Sequence, residues 1–381
     1  MENDAVVGFI GDLQSGTTLP MAQLLSLYGY THISYGARDP LLSNKRLYPN
    51  FFRTVPDDKI QYAAYVKLLE RFQWNWVGII TSNDDSGRRE LQALVKLFTS
   101  HQICIEFTIL VSLDNHDYIH PASSTDVIII CGSYSLTYIK FLYHEAHFLK
   151  NKTLILPSSW SLATDLILPG DVIPGNCSLV FSIPTYNITG KEMFNVVHLS
   201  NQPSDPLLED IWMTIFHCYT GNKLKDFLMP LADLYPYSNC SEEMKLNIEY
   251  NFSGDTTPYQ VYIAVYIMAQ ALHKLKIFID EKKNNTSNIY DYKRRLSQYI
   301  KEENIFLSEN EDWITRLDIQ NWVTEGKTSE MVVGRFDASF LEDKQLDINP
   351  QIITWRQNSI VKIARDVLKM NGQMREETIV L

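Results

Sequence analysis

The first half of the chain alternates short apolar runs with stretches in which apolar residues recur at helical spacing. The apolar runs predict buried strands at residues 6–11, 77–81, 104–111, 126–131, 153–156 and 179–183. The helical spacing predicts amphipathic helices through residues 19–27, 91–98 and 139–149. Strands that alternate with helices are typical of an open parallel sheet covered on both faces, so the pattern predicts an α/β fold.

The second half follows a different pattern, with longer helices first and short strands later. Helical spacing predicts helices over residues 207–219 and 261–275. The longest apolar stretch, 261–272, is shorter than the roughly 18 residues that a membrane-spanning helix needs, so we expect a buried helix there. After a charged, solvated loop, short strands are predicted at residues 316–322, 331–336 and 352–355.

Composition and charge narrow the possible functions. The 381 residues are 45% hydrophobic and 21% charged, as in an ordinary folded protein. A net charge of -11 argues against a general affinity for nucleic acid. His144 and His147 stand three residues apart, whereas a metalloprotease helix places its histidines four apart. We therefore expect no enzymatic activity, metal, cofactor or nucleic-acid partner.

The asparagine and cysteine content points to the secretory pathway. Asn-x-Ser/Thr sequons are frequent, and the candidate glycosylation sites are Asn151, Asn187, Asn251 and Asn284. Chance combined with a high asparagine content is the alternative. Five cysteines are too few for a scaffold built on disulfides. The first residues lack the basic segment and apolar run of a signal peptide, so we expect a truncated secretory protein.

One turn has the features of an anion site. Gln14 to Thr18 lie between the first predicted strand and a helix that carries Pro20 in an early turn. Thr18 is the expected cap of that helix, and the free N–H groups at a helix start favour an anion such as a ligand carboxylate. A capped helix with nothing bound fits the same spacing.

Several separated segments resemble the extracellular domains of class C G-protein-coupled receptors. The first are ISYGARDPLLSNKRLYPNFFRTVPDD at residues 33–58 and FQWNWVGIITSNDDSGRRELQ at residues 72–92. ICIEF, YQVYIAVYIMAQALHKL, RLDIQNW and ITW follow in the family's order, so the resemblance spans about residues 5–356. Among class C receptors the chain looks most similar to vomeronasal type 2 receptors, with calcium-sensing and amino-acid taste receptors next.

The resemblance implies a Venus flytrap fold of the periplasmic-binding-protein-like type I. In this α/β clamshell each lobe is a mostly parallel sheet flanked by helices. Residues 1–53 and 185–307 would form lobe 1, incomplete at its N-terminus, and residues 54–184 and 308–356 would form lobe 2. Residues 357–381 would be a divergent tail. The family binds its ligand between the lobes.

The resemblance also assigns roles to residues of the cleft. Ser15, with backbone N–H groups such as that of Gly16, matches the serine that holds an amino acid's carboxylate. Asp58 matches the acidic neighbour of the ligand's ammonium group, although a plain helix cap is the alternative reading. Departures from the family are Arg38, Ser86 and Ser158, which we expect to set selectivity, and Asn310, which stands near the basic position of glutamate-binding members. Arg38 would pair with an acidic ligand group, with Asp39 or with water.

Cysteines and partners are also implied by the resemblance. Cys218 and Cys240 match a disulfide pair, and Cys104 matches a cysteine that relatives bond to a following cysteine-rich domain. The implied partners are a small-molecule or peptide ligand, a second receptor chain through lobe 1, and a G protein through a transmembrane domain. The implied location is the extracellular side of the plasma membrane.

The leading hypothesis is therefore a chemosensory receptor's ligand-binding region, whose closure is coupled to a G protein. A calcium-sensing or amino-acid taste receptor-like ectodomain is one alternative, and a free-standing solute-binding protein is another. An enzyme with two α/β domains would require a nucleophile or a metal site, and the sequence contains a motif for neither.

Overall fold

The computed structural model describes residues 6–112, 124–160, 175–184, 198–201, 205–232, 237–241, 243–244, 257–281, 289–302, 316–323 and 329–355. The chain divides into two compact units. One comprises Met1–Pro184 and Thr256–Leu381, and the other is Thr185–Asp255. The lobe boundaries implied by the resemblance share the division after Pro184, differ from these units at their other positions, and stay a prediction.

Strands occur in both units. They are β1 (Gly8–Ile10), β2 (Thr31–Ser34), β3 (Phe51–Arg53), β4 (Trp76–Ser82), β5 (Cys104–Val111), β6 (Val127–Ile130), β7 (Thr153–Leu156), β8 (Ser178–Ser182), β9 (Cys218–Tyr219), β10 (Ser238–Asn239), β11 (Arg316–Val323), β12 (Ser329–Asp337) and β13 (Leu346–Ile348). The helices are α1 (Ser15–Leu27), α2 (Asp58–Phe72), α3 (Asp85–Ser100), α4 (Leu136–His144), α5 (Ala146–Leu149), α6 (Pro206–Phe216), α7 (Lys223–Ala232), α8 (Thr257–Glu281) and α9 (Ile289–Glu302).

An eight-stranded sheet forms the larger core of the first unit. Its strand order is β13-β12-β11-β8-β7-β6-β4-β5, parallel from β8 to β5 and antiparallel from β8 to β13. Alternate residues of β6 face opposite sides, because Val127 and Ile129 pack with α2 and α3 while Ile128 and Ile130 pack with α4. Burial on both faces explains why β6 is an uninterrupted apolar run.

A smaller parallel sheet, β1-β2-β3, completes the first unit. Ile33 and Phe52 of this sheet share a core with α8 and α9. Phe51 faces a second, smaller cluster that contains Ala22 of α1. The second unit holds α6, α7 and the short parallel pair β9 and β10.

Helix α8 is, among the described helices, the one long and apolar enough to pass a length-and-composition test for crossing a membrane. A core helix passes the same test. Ile263, Ala264, Ile267 and Met268 form its buried face and pack against the small sheet and α9, as expected for a buried helix. Tyr262, Val265, Tyr266 and Leu272 are exposed.

The structure corrects four details of the predicted elements. Residues 352–355 are not a strand, because Pro350 starts a 3-10 turn that the Asn349 side chain caps. The helix predicted over residues 207–219 ends at Phe216, where His217 takes a positive φ of 47° and Cys218 begins β9. The helix predicted through residues 139–149 is interrupted at Glu145, which separates α4 from α5.

The fourth correction concerns the start of α1. Thr18 is not its cap, because the helix begins at Ser15, after Gln14. The Thr18 side chain is buried instead, and Pro20 lies inside the helix. The extended stretches β2, β3 and β13 were not predicted, since three or four residues are too short to show an alternation.

Candidate functional site

A cavity of about 300 Å³ opens where the strands of both sheets in the first unit end. Its walls follow the carboxyl ends of β1, β2, β3, β4, β6 and β7, which is where ligands bind in open α/β sheets. The first turn of α8 closes one side. The lining residues are Leu13, Gln14, Ser15, Tyr35, Gly36, Arg38, Val55, Asp58, Gln61, Ser86, Glu90, Gly132, Ser133, Tyr134, Ser158, Ser159, Thr257 and Gln260.

The structure places five of the six predicted ligand-binding residues around this cavity. Gly16 is the exception: it is exposed and does not line the cavity. Ser15 stands at the first position of α1, where its Oγ accepts hydrogen bonds from the backbone N–H groups of Arg38 (3.0 Å) and Asp39 (3.1 Å). Ser15 thus holds the loop after β2 against the start of α1. Its hydroxyl group can still donate a hydrogen bond to another acceptor.

Arg38 is buried, with 8% of its surface exposed, and its guanidinium Nη1 donates a hydrogen bond to Ser158 Oγ. Of the alternatives for Arg38, the ion pair with Asp39 is not formed. Asp39 pairs with Arg89 instead, at 2.9 Å to Nε and 2.8 Å to Nη2. Burial lowers the pKa of Arg38, and the negative charge of Asp58 opposes that shift.

Ser158 connects Arg38 to helix α2. Its backbone N–H (2.7 Å) and its hydroxyl (2.6 Å) both donate to Gln61 Oε1. Gln61 was not predicted, although it follows Asp58 by three residues and so shares its helix face. These hydrogen bonds, from Gln61 through Ser158 to Arg38, connect three segments that are distant in sequence at the cavity wall.

Asp58 is the first residue of α2, and its carboxyl group is not the helix cap. Asp57 is the cap, since its Oδ1 accepts from the Lys59 N–H at 2.8 Å. The Asp58 N–H donates to the Arg38 carbonyl at 3.1 Å, and its carboxyl group lines the cavity. Burial raises the pKa of that carboxyl group, while the Arg38 charge lowers it.

Glu90 is a cavity residue that was not predicted from the sequence. It follows Ser86 by four residues on α3, so both side chains lie on one helix face. Its Oε2 accepts from the Gly132 N–H at 2.7 Å, and its Oε1 is buried without a hydrogen-bond partner in the described structure. Burial raises the pKa of Glu90, and the neighbouring charge of Asp58 raises it further.

Gln260 lies in the first turn of α8, far along the chain from the other lining residues, and it lines the same cavity. Only 1% of its surface is exposed, and neither Oε1 nor Nε2 has a hydrogen-bond partner among the described residues. Its backbone carbonyl accepts from Thr54 Oγ1 at 3.1 Å. Buried amides are normally hydrogen-bonded, so an unpartnered amide at a cavity wall indicates a group that is satisfied by a ligand or water.

Sequence comparison identifies the class of protein. The sequence profile of the receptor family ligand binding region matches residues 1–324. The chain belongs to this family. Its fold is the periplasmic-binding-protein-like α/β fold, which confirms the predicted fold class.

The relatives of the chain include class C G-protein-coupled receptors of three kinds. It is 25% identical to the human (Homo sapiens) extracellular calcium-sensing receptor over 92% of the chain and 36% of the receptor. It is 27% identical to mouse (Mus musculus) vomeronasal type-2 receptor 26 over 93% of the chain and 43% of that receptor. Identity to human taste receptor type 1 member 3 is 33% over 43% of the chain and 21% of the receptor.

The chain therefore spans about two fifths or less of the length of these relatives. It is a class C ligand-binding region, as the resemblance predicted. The relatives are plasma-membrane receptors with extracellular ligand-binding domains.

Outside the cavity, the cysteines and asparagines bear on the predicted secretory features. A disulfide joins Cys218 to Cys240 in the second unit, as the resemblance implied. Cys104 is free and exposed. Asn151 is exposed, whereas Asn187, Asn251 and Asn284, together with Asn310, lie outside the described residues. The described residues contain no group of three or more His, Cys, Asp or Glu side chains arranged to hold a metal ion.

Proposed function

We propose that this chain binds a small molecule or peptide in the cavity and so senses it on behalf of a longer receptor. The observation that carries the proposal is the cavity itself, because residues that follow strands of both sheets meet there. The Arg38 to Ser158 hydrogen bond joins segments that follow β2 of the small sheet and β7 of the large sheet. A ligand that contacts both sides would favour a closed form over an open one.

In the longer receptor, closure would be coupled to a G protein through a transmembrane domain. We place the receptor among the vomeronasal type 2-like, chemosensory members, at the extracellular side of the plasma membrane. The relative named for calcium sensing supports one alternative, so Ca²⁺ belongs in any ligand screen. We further propose that the role is binding rather than catalysis.

Dimerisation through the lobe that contains α1 is part of the same proposal. Leu24 and Leu27 on α1 are 55% and 80% exposed. Apolar side chains exposed together on one helix are typical of an interaction surface. A second receptor chain would cover them.

The binding proposal is tested by calorimetric titration of the purified 381-residue chain with amino acids, amines, short peptides and Ca²⁺. We expect at least one ligand whose affinity falls roughly tenfold or more in Asp58→Ala and Ser15→Ala, because both residues line the cavity. Asp343→Ala, on an exposed turn, is the matched control and should bind normally. Unchanged affinity in both cavity variants would place the ligand elsewhere.

Signalling needs a separate readout. A chimera in which this chain replaces the matching segment of the calcium-sensing receptor should raise intracellular calcium when the same ligand is added. Cross-linking of the chimera on cells should give a dimer that Leu24→Asp with Leu27→Asp weakens. A chimera that reaches the surface and binds ligand without any response would contradict the receptor proposal.

A further inference from the structure

When Asp58 and Glu90 are both ionised, the charges around the cavity do not balance, and this imbalance carries information about the ligand. Two neighbouring cations are already neutralised, because Arg53 pairs with Asp57 at 3.1 Å and Arg89 pairs with Asp39. The charged side chains that line the cavity itself are Arg38, Asp58 and Glu90. With both carboxyl groups ionised, one negative charge stays uncompensated at the wall.

The unsatisfied polar atoms show the same excess of acceptors. Glu90 Oε1 is buried without a partner, and so are Oε1 and Nε2 of Gln260. Two of these three atoms accept hydrogen bonds and one donates. An ammonium group has three N–H donors and no acceptor, so it can donate to the two unpartnered acceptors, Glu90 Oε1 and Gln260 Oε1, but not accept from Gln260 Nε2.

Several hydrogen-bond donors that a ligand carboxylate would use already donate to acceptors within the protein. The backbone N–H groups of Arg38 and Asp39 both donate to Ser15 Oγ. One arm of the Arg38 guanidinium donates to Ser158. A zwitterionic amino acid, whose net charge is zero, would leave the excess negative charge of the wall unchanged.

We propose that Asp58 and Glu90 together hold the ammonium group of a singly charged primary amine, and that Gln260 hydrogen-bonds to the same ligand. The inference rests on the proposed function, because it assigns a ligand class to the same cavity. Leu13, Tyr35, Val55 and Tyr134 supply apolar and aromatic surface at its wall, so the amine carries an apolar body. The chain therefore prefers such an amine to the α-amino acid that differs from it by one carboxylate.

The electrostatics of the empty cavity agree with this assignment. Burial raises the pKa of both carboxyl groups, and the negative charge of Asp58 raises the pKa of Glu90 further. Arg38 lowers the pKa of Asp58 but is not sufficient to offset burial. An ammonium group between the two carboxylates would stabilise both in their ionised form.

Matched ligand pairs test the proposal by calorimetry on the full chain at neutral pH. The probes are 2-phenylethylamine against L-phenylalanine and isoamylamine against L-leucine, with CaCl₂ as a separate arm. We expect each amine to bind at least tenfold more tightly than its amino acid. Glu90→Gln keeps the acceptor for the Gly132 N–H and removes the charge, so it should weaken amine binding at least tenfold.

Two further variants make the test specific. Gln260→Leu should weaken amine binding severalfold while leaving the chain folded, because it removes an amide that has no partner in the described structure. Glu342→Gln, on an exposed turn, removes the same charge at a distance from the cavity and should leave amine binding unchanged.

Four results would overturn the amine assignment. They are an amino acid that binds more tightly than its amine, an affinity for amines that survives Glu90→Gln, no binding by either amine, and Ca²⁺ binding that depends on Glu90 in place of amine binding. The sensing proposal is judged separately. It stands if another ligand loses affinity in Asp58→Ala but not in Glu90→Gln, and it falls if no ligand of any class binds in the cavity.

Discussion

At the residue scale, the cavity depends on polar groups whose partners come from distant parts of the chain. Ser15 holds the backbone of Arg38 and Asp39, and Ser158 joins Arg38 to Gln61. These contacts fix the direction in which the cavity residues point. They also explain why Arg38, an unusual residue for a buried position, is tolerated there.

Glu90 is expected to limit the stability of the unliganded chain. Its raised folded-state pKa means that the folded form binds a proton more tightly than the unfolded form, so stability falls as pH rises through the folded pKa. Glu90→Gln cannot ionise, so it should raise the free energy of unfolding by about 1–3 kcal/mol at mildly alkaline pH, because it removes the cost of holding a charge at a buried position.

Urea unfolding at several pH values measures this prediction. The difference between variant and wild type should shrink toward pH 4, near the ordinary pKa of a glutamate. Glu342→Gln serves as the control on an exposed turn, and its stability should follow wild type throughout. A wild-type chain that gains stability relative to Glu90→Gln as the pH rises would contradict the account.

At the element scale, the start of α2 determines the position of Asp58. Asp57 caps the helix through Lys59 and pairs with Arg53, and both side chains of that ion pair are nearly inaccessible to solvent. Because the cap is one residue earlier than a plain reading of the sequence suggests, Asp58 becomes the first helical residue and its carboxyl group is free to face the cavity.

Asp57→Ala should therefore destabilise the fold more than loss of a cap alone. Removing one partner of a buried ion pair typically costs about 3–5 kcal/mol. Asp84→Ala is the matched control, because Asp84 caps α3 through the Gly87 N–H and is exposed, and its loss should cost about 1 kcal/mol. Equal losses in the two variants, measured by urea unfolding, would show that the Arg53 pair adds nothing.

The sequence predicted elements well where the pattern is long and regular. The parallel strands of the large sheet are rich in apolar residues, and β5 and β7 agree with the predicted 104–111 and 153–156 residue for residue. The short strands of the small sheet lack such a pattern. The strand predicted at 352–355 fails because Asn349 and Pro350 form a capped turn.

At the scale of the whole molecule, the family resemblance predicted most of the cavity residues, which local sequence patterns do not identify. Ser15, Arg38, Asp58, Ser86 and Ser158 are far apart in sequence, and the structure brings them to one cavity. Glu90 and Gln260 were missed, because an unpaired buried oxygen or amide is a property of tertiary packing and has no sequence signature. Both of them bear on which ligand is bound.

Hydrogen–deuterium exchange, with and without a ligand from the calorimetric screen, tests the central claim that ligand binds in this cavity. Binding should slow exchange in the segments that follow β2, β3, β4 and β7, since these carry Arg38, Asp58, Glu90 and Ser158. Peptides from α6 and α7 of the second unit, which do not line the cavity, provide the internal reference. Slower exchange in all four segments is the result that we predict; tight binding with protection confined to other segments would contradict it.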